Sequence, residues 1–137
     1  MLLKSLLSYI IIERDESVIV DMEAGLEHLG RGTAEYVDAL LVVVEPGKRS
    51  FQTAYQVKRL SQDLGIKNLY IVGNKIMDIS DDELMRNSLE GFTVLGTISY
   101  NEKVIEADKL GVSPFDIDEK IRTEVGYIIE ALRNRVT

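Results

Sequence analysis

Six consecutive apolar residues, Ala39-Leu40-Leu41-Val42-Val43-Val44, constrain the fold of this chain most strongly. A β-rich run without polar alternation reads as a strand covered on both faces. Pro46-Gly47 ends it. Leu69-Tyr70-Ile71-Val72 repeats the pattern and is expected to stop at Gly73-Asn74-Lys75, and Thr93-Val94-Leu95-Gly96-Thr97-Ile98 reads as a shorter strand. Ser17-Val18-Ile19-Val20-Asp21 forms a further apolar strand that closes on an acid.

The segments between these strands have helical spacing. Leu2, Leu3, Leu6, Leu7, Ile10 and Ile11 mark an amphipathic first helix. Ser50 is placed to cap a helix whose inner stripe is Ala54, Val57, Leu60 and Leu64, with Gly65 terminating it. Ser80 and Glu83 have capping-box spacing and predict a short helix to Leu89. Residues 101–110 are expected to be helical and closed by Gly111, and Ser113-Pro114 opens a final helix carrying Ile117, Ile121, Val125, Ile128 and Leu132. Strands separated by helices predict an α/β fold, a mostly parallel sheet with flanking helices. No repeat, low-complexity tract or linker divides residues 1–137, so one domain is expected.

Composition removes several function classes. A formal net charge of −7 argues against a broad nucleic-acid face, which needs clustered Lys and Arg. The absence of cysteine excludes disulfides and any thiolate metal site within the chain, and the single His28 cannot build a multi-histidine site. No apolar run reaches the roughly 18–20 residues of a membrane span. The N-terminal stretch is interrupted by Lys4 and followed by acids, which is not the form of a signal peptide. The cytoplasm is the expected address.

In parallel sheets ligand sites form beyond the carboxyl ends of the strands. The residues to read are therefore 21–25, 45–47, 73–75 and 99–101. An acid, a small-residue loop and an Asn-Lys pair converging on one edge suit a nucleotide, though each alone is an ordinary turn element. An apolar strand ending in Asp21 and leading into Ala24-Gly25 is the form in which many P-loop hydrolases present their Mg²⁺-side carboxylate and switch loop. Two glycine-rich stretches are decoys. Gly47-Lys48-Arg49-Ser50 has Val42 five positions before Gly47 and Arg49 between Lys48 and Ser50, and Gly30-Arg31-Gly32-Thr33 has no lysine, so neither is a phosphate loop.

The order of Asp21-Met22-Glu23-Ala24-Gly25-Leu26-Glu27-His28-Leu29-Gly30-Arg31-Gly32-Thr33, Val44-Glu45-Pro46-Gly47-Lys48-Arg49-Ser50 and Val72-Gly73-Asn74-Lys75 resembles the CooC-type ATPases. These belong to the MinD/ParA group of P-loop ATPases and serve nickel insertion into carbon monoxide dehydrogenase. The resemblance runs over essentially the whole chain and implies a partial P-loop NTPase fold. It implies that Asp21 is the Walker-B acid holding Mg²⁺ through water and that Gly25 lies in the switch loop. Asn74 is implied to recognise adenine, with Ile98, Ser99, Tyr100 and Asn101 lining the base pocket; at Ser99 the wider group often has proline. His28 reads as a partly exposed helix residue beside the switch.

Two departures bear on activity. The phosphate loop and its lysines have no counterpart in the 137 residues, nor do the Cys-X-Cys nickel ligands. Roughly the first hundred residues expected of such a domain are unmatched. Without that loop, most of the stabilisation of phosphoryl transfer is lacking, so hydrolysis by this chain alone is not expected. Mg-ATP or Mg-ADP is the cofactor the resemblance implies, with no nickel or zinc site.

The group places its phosphate-loop strand between the Asp21 strand and the 40–44 strand. The unfilled edges predict a homo-oligomer or pairing with a complementary P-loop-bearing half. The resemblance implies a carbon monoxide dehydrogenase maturation client, and charge and hydropathy predict neither a nucleic-acid nor a membrane partner. Two readings follow: a CooC-like ATPase fragment, or a noncatalytic dimerisation and interaction module derived from such an ATPase. A receiver-like phosphoacceptor domain ranks behind both, because the acid pair after a first strand is missing.

Overall fold

The computed structural model describes residues 16–22 and 33–136. Three parallel strands, β1 (Leu40–Val44), β2 (Leu69–Ile76) and β3 (Thr93–Ser99), form a sheet in the order β1-β2-β3. Helices α1 (Lys48–Asp63) and α2 (Ile79–Ser88) make the two crossovers. After β3 come α3 (Glu102–Leu110), the single turn α4 (Pro114–Ile117) and α5 (Glu119–Val136). This is the expected α/β architecture.

Two crossovers stepping the same way across a parallel sheet share one hand and so lie on one face. On that face Val42, Val44, Ile71 and Ile76 pack against Phe51 and Ala54 of α1 and Met85 and Leu89 of α2. On the other, Tyr70, Val72 and Leu95 pack against Ile128 of α5. Among the described strands only β2 is paired on both edges and covered on both faces, which explains its unbroken apolar start. β1 is covered on one face: Leu41 and Val43, on the other, are 41% and 60% exposed.

The 17–21 segment expected as a buried strand is not one. Residues 16–21 are exposed and lie outside the sheet, with Ile19 91% exposed. Among the described residues its apolar side chains have no neighbouring strand, and a β segment without a paired neighbour has no ladder to satisfy its backbone groups. The expected helix over residues 2–12 falls outside the described residues.

The helix caps are shifted from the expected residues. Gly47 precedes α1, while Ser50 sits inside its first turn and its Oγ accepts the Glu45 N–H at 2.9 Å. At α2 the cap is Asp78, not Ser80. Its carboxylate accepts the Asp81 N–H at 3.0 Å, and the Asp81 carboxylate accepts the Met77 N–H at 2.9 Å. This reciprocal arrangement fills the same need as a capping box, with two aspartates. The final helix is interrupted: Asp118 leaves helical geometry after α4, and its carboxylate accepts the Ile121 N–H at 3.1 Å to start α5. Asn101 caps α3 and Gly111 ends it at φ +69°, as expected.

β2 does not stop at Gly73 but runs to Ile76 through a bulge. Between the pairs Gly73–Thr97 and Ile76–Ser99, β2 advances three residues and β3 two. The extra residue is accommodated by Lys75 at φ +56°, a conformation that costs a side-chain-bearing residue about 1–2 kcal/mol. A second bulge in β3 places Gly96 opposite Val72, where a Cβ would come within 2.9 Å of Ile128 Cγ1.

Two stability predictions follow from these close approaches. Because Ile128 is buried and β-branched, Gly96→Ala should destabilise the chain by about 1–3 kcal/mol in urea unfolding. No loss would mean that α5 stands further from the sheet. Lys75→Gly should be more stable than Lys75→Val by about 1–2 kcal/mol, since only glycine takes positive φ freely. Equal midpoints would contradict the bulge.

Candidate functional site

Parallel pairing brings the ends of all three strands to one edge. Glu45 follows β1, Asn74 and Lys75 close β2 at the bulge, and Ser99, Tyr100 and Asn101 leave β3. Lys75 Nζ lies 2.9 Å from Glu45 Oε1, joining the β1 and β2 ends through an exposed ion pair. Such pairs add little stability, so the contact orients more than it holds. By strand alternation Asn74 lies on the same face as Val72, the face covered by α5.

The 98–101 segment is held firmly. The Ser99 N–H and Oγ–H both donate to Glu124 Oε2, at 3.0 and 2.8 Å. The Tyr100 N–H donates to the Ile76 carbonyl at 2.9 Å. Asn101 Oδ1 accepts the Lys103 N–H at 2.9 Å, while its Nδ2 donates to Asp118 Oδ2 at 2.6 Å. Ile98 packs against the cluster of Tyr70, Val72, Leu95 and Ile128. The segment thus offers an apolar side beside a row of backbone atoms.

Asp118 and Glu124 had no signal in the sequence. Both sit within helical-looking periodicity, and their partners lie 17 and 25 residues away. Only the return of α5 across the sheet brings them to the β3 end.

Asp21 is not part of this cluster. Met22, directly after it, packs against Ile66, which precedes β2 at the amino end of the sheet. Asn74 is eight residues further along, on the order of 25 Å at strand rise. Asp21 is exposed, and among the described residues no group of three or more His, Cys, Asp or Glu side chains could hold a metal ion. The described residues around Asp21 do not by themselves form an Mg²⁺ site, and residues 23–32 fall outside the described ones. Gly25 and His28 fall outside the described residues.

Two shallow concavities occur at the opposite, amino-terminal edge. One, of about 560 Å³, is lined by Glu35, Asp38, Lys67 and Asn68. The other, of about 240 Å³, lies beside Lys58, Phe92 and Thr93. Neither includes Asn74 or the 98–101 segment. No helix among the described residues is long and apolar enough to cross a membrane.

No family profile matches the chain. It is 45% identical over 136 residues to an uncharacterised ATP-binding protein of Methanocaldococcus jannaschii, covering 94% of this chain and 52% of that protein. It is 41% identical over 135 residues to the carbon monoxide dehydrogenase accessory protein CooC of Rhodospirillum rubrum, covering 98% of this chain and 51% of CooC. Among solved structures, the MinD cell division protein of Aquifex aeolicus matches with a TM-score of 0.54 at 22% identity, over 74% of this chain and 45% of MinD. The chain spans about half the length of the curated relatives it matches. Over nearly its whole length the chain is similar to about half of CooC and of that ATP-binding protein, and its α/β fold is shared with about half of MinD.

Proposed function

We propose that this chain is the base-binding part of a CooC-like nucleotide switch. The observation that supports this best is the convergence of Asn74 and the 98–101 segment at one sheet edge, in a chain 41% identical to CooC over nearly its whole length. Asn74 and the backbone of 98–101 hold the adenine of ATP or ADP. The phosphates and Mg²⁺ are held by a phosphate loop on a complementary segment, since no Gly-Lys loop of that kind occurs in the 137 residues. The chain alone does not hydrolyse ATP, because a preorganised amide nest and lysine supply most of the stabilisation in phosphoryl transfer.

The free edge of β1 is where that segment joins. Among the described residues no strand pairs with that edge, and Leu41 and Val43 are exposed. A phosphate-loop strand placed there gives the 17–21 segment a neighbour. It then carries Asp21 to the carboxyl edge as the Walker-B acid, and Gly25 with it as the switch-loop glycine. The assembly works in the cytoplasm on a carbon monoxide dehydrogenase client, where it assists nickel insertion without providing nickel ligands from these residues.

The same open edge favours a second reading, a noncatalytic module that dimerises or binds a full-length relative through β1. Calorimetry separates the two. On the first reading, the chain mixed with a P-loop-bearing half binds Mg-ATP at least tenfold more tightly than either component alone, and Asp21→Asn abolishes turnover of the mixture. Absence of nucleotide binding by both the chain and the mixture would overturn it. On the second, association with a relative survives Asp21→Asn and is indifferent to ATP. Light scattering should show a dimer or higher oligomer, or a heterodimer once the complementary half is present; a monomer in both cases counts against both readings.

A further inference from the structure

Four donors of the 99–101 segment are already engaged. The Ser99 N–H and Oγ–H go to Glu124 Oε2, the Tyr100 N–H goes to the Ile76 carbonyl, and Asn101 Nδ2 goes to Asp118 Oδ2. The last two bonds are ordinary connections of a strand end. The Glu124 contact is not, because one carboxylate oxygen takes both Ser99 donors while Oε1 is buried with no partner among the described residues. An unpartnered buried acceptor costs free energy, and a hydroxyl or a water would have satisfied Ser99 more cheaply.

We propose that Glu124 is a specificity residue of the base site: by consuming both donors of Ser99, it leaves the edge near Ser99 and Tyr100 rich in acceptors, selecting a 6-amino purine over a 6-oxo purine. This rests on the base-binding reading above. The 6-amino group of adenine donates to a backbone carbonyl, whereas the 6-oxo group of hypoxanthine or guanine meets that carbonyl with a second acceptor. Asn74 does not make the distinction by itself, since its amide presents a donor or an acceptor after a half-turn. Lys75 points away from β3, toward Glu45 on β1. Discrimination therefore falls to the 98–101 edge, and a site whose buried groups would be left mismatched rejects the wrong ligand strongly.

The test is the ratio of ATP to ITP affinity, read by calorimetry and by amide shifts at 98–101 in the wild-type chain and three variants. Wild type should favour ATP by roughly tenfold or more, the size of one mismatched hydrogen bond. Glu124→Ala frees the Ser99 N–H and Oγ–H and should bring the ratio close to one. Ser99→Pro added to Glu124→Ala removes both donors again and should restore the preference, which lost packing at α5 could not do. Ser99→Ala alone keeps the N–H bound to Glu124 and should retain it. A wild type that binds both nucleotides equally, or a Glu124→Ala variant that keeps the full preference, overturns the role of Glu124. Binding of neither nucleotide, with no shift at 98–101, overturns the base site itself. Near-native thermal unfolding of the double variant would show that the rescue is read on a folded chain.

Discussion

Everything in this structure hangs on β2, the one strand with neighbours on both edges and helices on both faces. Ile71 is completely buried, and Tyr70 and Val72 nearly so, from opposite sides. Burial of such side chains contributes about 1.5–3 kcal/mol each, the main term holding α1 and α2 to one face and α5 to the other. With β2 fixed, the parallel register dictates that the β1 and β3 ends meet its carboxyl end. The bulge at Asn74-Lys75 is the place where that regularity is broken, and bulges are recurrent beside functional sites because they redirect side chains.

The fold was legible because its information is local and repetitive. Apolar runs of five or six residues separated by helix-length segments admit few arrangements other than a parallel α/β sheet. Asn101 and Gly111 were read correctly as helix ends because their roles depend on nearest neighbours. Ser50 and Ser80 both lie inside their helices: Gly47 precedes α1 with no side-chain cap, whereas at α2 two candidate caps lie two residues apart. Asp78 won over Ser80 because Asp81 could return the favour to the Met77 N–H. The break at Asp118 arises from Asn101, 17 residues earlier, and no local pattern announces such a contact.

The candidate site divides in the same way. Asn74 and 98–101 could be placed at an edge from strand order alone, whereas Asp118 and Glu124 depend on where α5 returns. Asp21 depends on even more. A strand forms only when its backbone groups find partners, so 17–21 stays out of the sheet although its residues have strand character. On the proposed function, the strand that would cover Leu41 and Val43 is also the one that would pair with 17–21.

On the proposed function, this chain recognises the base and leaves the phosphates to another segment. Comparing adenosine with ATP by amide-resolved NMR on the chain alone tests that most directly. The account predicts that the two bind with equal affinity and shift the same amides, at Asn74 and 98–101, because no local group holds the phosphates. Tighter binding of ATP by tenfold or more, or shifts confined to the amino-terminal edge around Lys67 and Asn68, would contradict it.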